Sequence, residues 1–178
     1  MRSIVGRVRM STMSDDLYDR DFYLWTQGQG AALRARRFGD NVLEIDRIAE
    51  ELEDLGSAQR NKAESFVRRI LEHFYKLSAS TALDPVRHWL VEIVNFRAGF
   101  DSAVTPSIRI AVEAELEQLH VRAARDASKV MKVQEPHALI EPLLRWSLAQ
   151  LLGEDDDPFD AFSDALEEAG RATPERPH

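Results

Sequence analysis

Leu43-Glu-Ile-Asp-Arg-Ile-Ala-Glu-Glu-Leu-Glu-Asp-Leu-Gly56 decides the fold. Ile45, Ile48, Ala49, Leu52 and Leu55 recur at three- and four-residue steps, the period of one helical face. The stripe resumes after Gly56-Ser57 as Ala63, Phe66, Val67, Ile70, Leu71, Phe74 and Leu77. There are too few residues at Gly56 for a long loop, so one long, kinked helix over about 42–78 is expected. Asn41 with Glu44 forms a capping-box pattern at its start.

Working outward, Tyr18, Phe22, Trp25, Gln29, Ala32 and Leu33 form the stripe of a preceding helix, expected over 19–37 with Asp19 as its N-cap. Gly28 and Gly30 weaken that helix but admit a close neighbour. Phe38-Gly39-Asp40 turns the chain. Downstream, Asp84-Pro85 opens a helix to about Phe96, with Trp89, Leu90, Ile93 and Val94 inward. Thr105-Pro106 opens another to about Lys132, with Val112, Leu116, Leu119, Ala123, Ala127 and Val130 as its stripe. Ser147 and Gln150 form a capping box for a short helix ending at Gly153. Asp157-Pro158 starts a last helix carrying Phe159, Phe162 and Leu166, closed by Gly170. The fold class is all-α: a bundle of five or six helices in one domain over 15–170, between flexible tails at 1–14 and 171–178. Met1, Met10 and Met13 all serve as candidate starts.

The 178 residues carry no cysteine, which excludes disulfides, zinc–thiolate sites and thiol nucleophiles. No apolar run approaches the length of a membrane span, and the basic N-terminus lacks a signal-peptide core, so a cytoplasmic protein is expected. The net charge is −8, and Glu154, Asp155, Asp156, Asp157, Asp160, Asp164, Glu167 and Glu168 equal all of it. The remainder is near neutral. Such a balance argues against nucleic-acid binding, which needs phosphate neutralisation.

Tyr18-Asp-Arg-Asp21-Phe-Tyr-Leu-Trp25, Gln29, Leu33-Arg34, Phe38, Ile45-Asp46, Ala49-Glu50-Glu51-Leu52, Leu55-Gly56 and His73, in this order and spacing, resemble the bacterial family called "domain of unknown function 29". The resemblance runs from Leu17 to about Phe159, with its specific motifs in the first third. Glu44, Arg47 and the Lys76-Leu77 step depart from the family pattern. The resemblance implies a small helical bacterial protein and no assigned activity.

Several polar groups are candidates for chemistry. Glu50, Glu51, Glu53 and Asp54 cluster on the long helix, where carboxylates bind hard cations or serve in acid–base steps; a solvated helix face is the plainer reading. Glu117 and His120 have the Glu-x-x-His spacing of di-metal bundles, with Glu113 one turn earlier, but His73, His88 and His137 have Ile70, Pro85 and Gln134 three residues before them. His73 lies at the stripe edge, as a packed histidine does; beside Asp46 or Glu50 it could act as a base. Phe22, Tyr23, Trp25 and Trp89 fit core packing better than a ligand pocket. Arg60, Lys62, Arg68 and Arg69 are interleaved with Glu64 and Glu72, as on a mixed surface.

The preferred reading is a non-enzymatic helical interaction module that binds a protein partner or self-associates as a homodimer, without cofactor, nucleic acid or membrane. Its acidic segment from Glu154 to Asp157 is expected to be mobile or partner-facing. The competing reading is a metal-dependent or acid–base enzyme. Its catalytic candidates are Glu50, Glu51 and His73, and its metal candidates Glu117 and His120.

Overall fold

The computed structural model describes residues 11–35, 44–79, 83–132, 146–160 and 164. Among them every regular element is helical: α1 (Ser11–Arg20), α2 (Phe22–Ala35), α3 (Ile45–Ala79), α4 (Leu83–Ala103), α5 (Pro106–Ala114), α6 (Leu116–Met131) and α7 (Leu148–Leu152). The expected all-α bundle with one long helix is present. The Asn41 cap, the Phe38-Gly39-Asp40 turn, the Asp84 side chain and the helix end at Gly170 lie outside the described residues. No described helix is long and apolar enough to cross a membrane.

α3 is the axis. Its 35 residues run through Gly56-Ser57 without interruption, which at 1.5 Å per residue makes a rod of about 52 Å. Its second half fills the core: Ala63, Val67, Ile70, Leu71, Phe74 and Tyr75 are fully buried. α4 runs antiparallel to it. Gln59 on α3 donates to the carbonyl of Ala103 at 3.1 Å, Phe66 lies against Gly99, and His73 meets Phe96 at 5.5 Å between ring centroids. α6 runs the same way as α3, with Glu115 near Arg60 (3.9 Å) and Asp126 bonded to Arg68 (2.8 Å). α7 closes the group, Leu148 and Leu151 inward and Trp146 edge-on to Phe74.

Cap chemistry at three places follows the sequence reading. Thr105 caps α5 with Pro106 at its first turn, Ser147 and Gln150 form the reciprocal capping box of α7, and Gly153 ends α7 at φ 76°. Other boundaries differ. The first predicted helix is two helices, and Asp21 rather than Asp19 caps α2, accepting the Leu24 N–H at 3.0 Å. α4 runs past Phe96 to Ala103, because Gly99 leaves space for the Phe66 ring beside a helix that stays intact. The helix expected over 106–132 is interrupted at Glu115, whose N–H is shared between Ala111 and Val112 carbonyls. Val130, expected inward, is 62% exposed.

The face that α2 turns to α3 also differs from the expected stripe. Thr26 and Gly30 are its buried residues, while Tyr18 is exposed and Phe22 and Trp25 are half-buried. The reason is close approach. A Cβ on Gly56 would clash with Thr26 Oγ1, and one on Gly30 with Glu53 Oε1. Small residues therefore let the two backbones near each other, and the aromatic rings move aside. There Tyr18, Phe22 and Trp25 pack on one another with centroids 4.9–5.8 Å apart. Gly28 has open space where a Cβ would go.

These two glycines predict effects of opposite sign. Gly56→Ala is expected to cost about 1–2 kcal/mol despite its better helix propensity, since Thr26 is β-branched and cannot swing freely. Adding Thr26→Ala should recover part of that loss. Gly28→Ala should gain about 0.5–1 kcal/mol. Urea denaturation of the variants decides it, and matching signs for Gly28 and Gly56 would refute the close-packing account.

Candidate functional site

The candidates named from sequence do not gather. Glu50 and Glu51 are exposed near the start of α3, and His73 lies 22–23 residues further along the same rigid helix, about 33–35 Å away by helical rise. His73 is buried. Its Nδ1 lies 2.8 Å from the Arg69 carbonyl, the arrangement of an N–H donating back to its own helix, and its ring packs on Phe96. Burial pushes its pKa below the ordinary value; the Arg69 carbonyl opposes this and nearby Lys76 adds to it. Lys76 is itself buried and bonded to Glu72.

Glu117 and His120 separate in the same way. Glu117 is exposed on a shallow dip of α6 shared with Val121, Arg122 and Arg125. His120 turns into the core, 1% exposed, with Nδ1 3.1 Å from Tyr75 Oη. Among the described residues its Nε2 has no partner within hydrogen-bond geometry, though the Trp146 backbone is near enough to favour the protonated ring. Burial dominates and pushes His120 down to about 4, and burial also raises Tyr75 above the usual phenol range. The pair is therefore a neutral hydrogen bond holding α3 to α6. Among the described residues no three His, Cys, Asp or Glu side chains are placed to share a metal ion.

The His120 shift sets a pH dependence. The folded protein keeps the ring neutral down to about pH 4, whereas an unfolded histidine takes up a proton near 6.5. Between those values the unfolded state binds more protons, so stability falls as pH drops through the window. From pH 7 to pH 5 the loss is expected to be about 2 kcal/mol, read by urea denaturation. In His120→Phe this part of the slope should flatten; an unchanged slope would assign it elsewhere.

Three further polar constellations went unseen in the sequence. Asp21, 5% exposed, accepts from Leu24 N–H, Thr105 Oγ1, Ser107 N–H and Ser107 Oγ at 2.6–3.0 Å, so one carboxylate serves the N-termini of α2 and α5. Burial acts to raise its pKa, but the bonds from Ser107, Leu24 and Thr105 outweigh it and hold the carboxyl below the usual range. Arg97 donates from both terminal nitrogens to Asp157 at 2.7 Å and from Nε to the Leu151 carbonyl at 2.8 Å, with its guanidinium over Phe74 and Phe159. Arg109 forms a two-pronged pair with Glu154. The ends of the acidic segment expected to be mobile or partner-facing, Glu154 and Asp157, are thus paired within the chain, and Asp155 and Asp156 are left exposed. Arg60 and Arg68, weighed for phosphate contact, pair with Glu64 and Asp126. The sequence carried a partial signal for Asp21, a helix-capping residue type, but none for partners 45 to 86 residues away.

Several large apolar side chains of the described residues stand exposed. Leu24 is 48% exposed, Ile48 45% and Leu55 59%, and on α4 Val91 is 58% and Val94 51%. Ile48, Leu52, Leu55, Gln59 and Phe66 follow one face of α3. α4 covers that face from Gln59 onward and ends there at Ala103. Below that point α2 and the first half of α3 form a two-helix arm with its α4-side stripe uncovered. Exposed Glu44 and Glu51 border it, with Asp54 further round the helix, against Arg47, which bonds Glu44.

A family model described as "Domain of unknown function DUF29" matches residues 17–155. The structure is similar to the crystal structure of an alpha-helical protein of unknown function from Rhodospirillum rubrum, with a TM-score of 0.65 and 26% identity over 88% of this chain and 98% of that one. No curated protein matches the sequence.

Proposed function

This chain belongs to the DUF29 family, and on that premise we propose that it is a non-enzymatic helical interaction module. The observation that carries the reading is the set of large apolar side chains held on outer helix faces, Ile48 and Leu55 on α3 and Val91 and Val94 on α4. Such residues in contiguous stripes mark surfaces that are covered in use. The strongest polar groups of the described residues support the same reading. Asp21, Arg97 and His120 spend their hydrogen-bonding capacity on joining helices, not on a cleft. A protein partner, or a second copy as a homodimer, is the class of ligand such faces take, in a cytoplasmic setting.

Site-specific photo-crosslinking in cells tests this. A photoreactive phenylalanine analogue replaces Leu55, Val94 or, as a control off the apolar face, exposed Asn61. A defined adduct at Leu55 or Val94 that Asn61 does not give is the expected result. Monomer alone at both apolar positions would overturn the proposal.

A further inference from the structure

We propose that the arm formed by α2 and the first half of α3 is a docking site for a basic amphipathic helix of a partner protein. This deepens the interaction-module reading and rests on it. Three observations carry the choice of site and occupant.

The first is geometric. Ile45, Ile48, Leu52 and Leu55 are spaced three, four and three, the a/d pattern of a helix-pairing seam. Higher on α3 the same face is already filled by a helix, with Phe66 against Gly99 and Gln59 bonded to Ala103. The uncovered part therefore continues an interface whose other side ends. From Ile45 to Gln59 it measures about 21 Å, close to four turns of helix. An incoming helix of about that length fits the space beyond the end of α4.

The second is burial. Within the arm α3 buries Ala49 and Gly56 against α2, while Ile48 and Leu55 remain 45% and 59% exposed and Leu52 half-buried. α2 cannot cover them, because its contact with α3 is made by Thr26 and Gly30 on a different side of the rod.

The third is charge. Glu44 and Glu51 border the stripe on its outer edge, with Asp54 beside them, and all three are exposed; Arg47, paired with Glu44, is the one cation among them and leaves the edge net acidic. Pairing α3 with α3 of a second copy sets these carboxylates against their own kind, which costs affinity. Lysine or arginine at the flanking positions of a partner helix meets them favourably and speeds encounter. The surface thus selects a helix with an apolar seam and basic flanks over a second copy of itself.

The experiment uses a synthetic amphipathic peptide of about 16–18 residues, leucine at a and d and lysine at e and g, and a twin with glutamate at e and g. Fluorescence anisotropy against the full chain is expected to show salt-sensitive binding of the lysine peptide, with the twin at least about tenfold weaker. Leu55→Glu, and separately Ile48→Glu, should weaken binding about tenfold although each adds negative charge, which distinguishes the seam from general attraction to an acidic protein. Val94→Glu on α4 should leave it unchanged. Circular dichroism verifies that each variant is folded. Equal binding of both peptides, undiminished binding by Leu55→Glu and Ile48→Glu, or no binding at about 100 μM overturns the inference. So does a stable dimer, by light scattering, that Leu55→Glu dissolves. A cellular crosslink at Val94 without one at Leu55 leaves the module reading standing and ends this one.

Discussion

Replacing Asp21 with alanine is expected to cost about 4 kcal/mol, the largest effect of any polar substitution in the protein. The carboxylate is 5% exposed and receives four hydrogen bonds, two of them from backbone N–H groups at the starts of α2 and α5. Bonds to a charged acceptor are worth about 1.5–3 kcal/mol each in favourable cases, and alanine leaves the donors buried without a replacement. The anion also lies where two helix dipoles are positive, adding to the loss. For a chain of this length the melting temperature should fall by about 10 °C. Asp21→Asn should recover less than half, because its NH₂ group meets donors where the second oxygen accepted Ser107 N–H.

The same residue has a pH signature apart from that of His120. Its carboxyl is held below the usual range, so its contribution is complete above about pH 4 and is lost as pH falls through the folded value. Asp21→Ala should therefore flatten the acid limb below about pH 4 and leave the limb between pH 4 and 6.5, which belongs to the buried histidines His120 and His73. Calorimetry across pH 3–7 reads both. A variant melting within about 2 °C of the parent at pH 7 would show that the four bonds do not hold the junction.

Asp21 also illustrates where sequence reading stops. Cap signals are local: Thr105-Pro106, Ser147 with Gln150, and Gly153 each place their partners within three residues, and all three were legible. Asp19 and Asp21 are the same residue type two positions apart, and what separates them is Thr105 and Ser107, 84 and 86 residues away. The α2 face was misread for a related reason. Hydrophobic periodicity weights Phe22 and Trp25 above Thr26 and Gly30, while the helix–helix approach depends on the residue with least bulk. The second half of α3 is the counter-case, since a stripe of Val67, Ile70, Leu71 and Phe74 has one physical outcome, complete burial. Its first half bears the same pattern but, among the described residues, is packed chiefly by α2. Periodicity states that a face wants cover, not that the chain supplies it. The histidines follow the same logic. An Glu-x-x-His step places two side chains about 60° apart around a helix, enough for Glu117 to meet water and His120 to meet Tyr75.

Arg97→Ala should be the second most damaging polar change, at about 3 kcal/mol. The guanidinium ties α4 to the end of α7 by two bonds to Asp157 and one to the Leu151 carbonyl, which α7 leaves open at its last turn. It also fills the space between the Phe74 and Phe159 rings, at 5.9 and 5.5 Å from their centroids. Burial acts to raise the pKa of Asp157, but the pairing with Arg97 and the Phe159 N–H keep it low, so removing the arginine strands a charge in a poorly solvated place. Arg97→Lys keeps a cation yet cannot grip both carboxylate oxygens and the carbonyl with one planar fork, and it is expected to recover no more than about 1 kcal/mol. The loss should be local as well as global, with faster amide hydrogen exchange across Leu148–Leu152 before α3 opens. A double-mutant cycle with Asp157→Asn should return a coupling of about 2 kcal/mol. A lysine variant as stable as the parent, or a coupling near zero, would mean that α7 is held by Leu148 and Leu151 in the core and that the arginine is incidental.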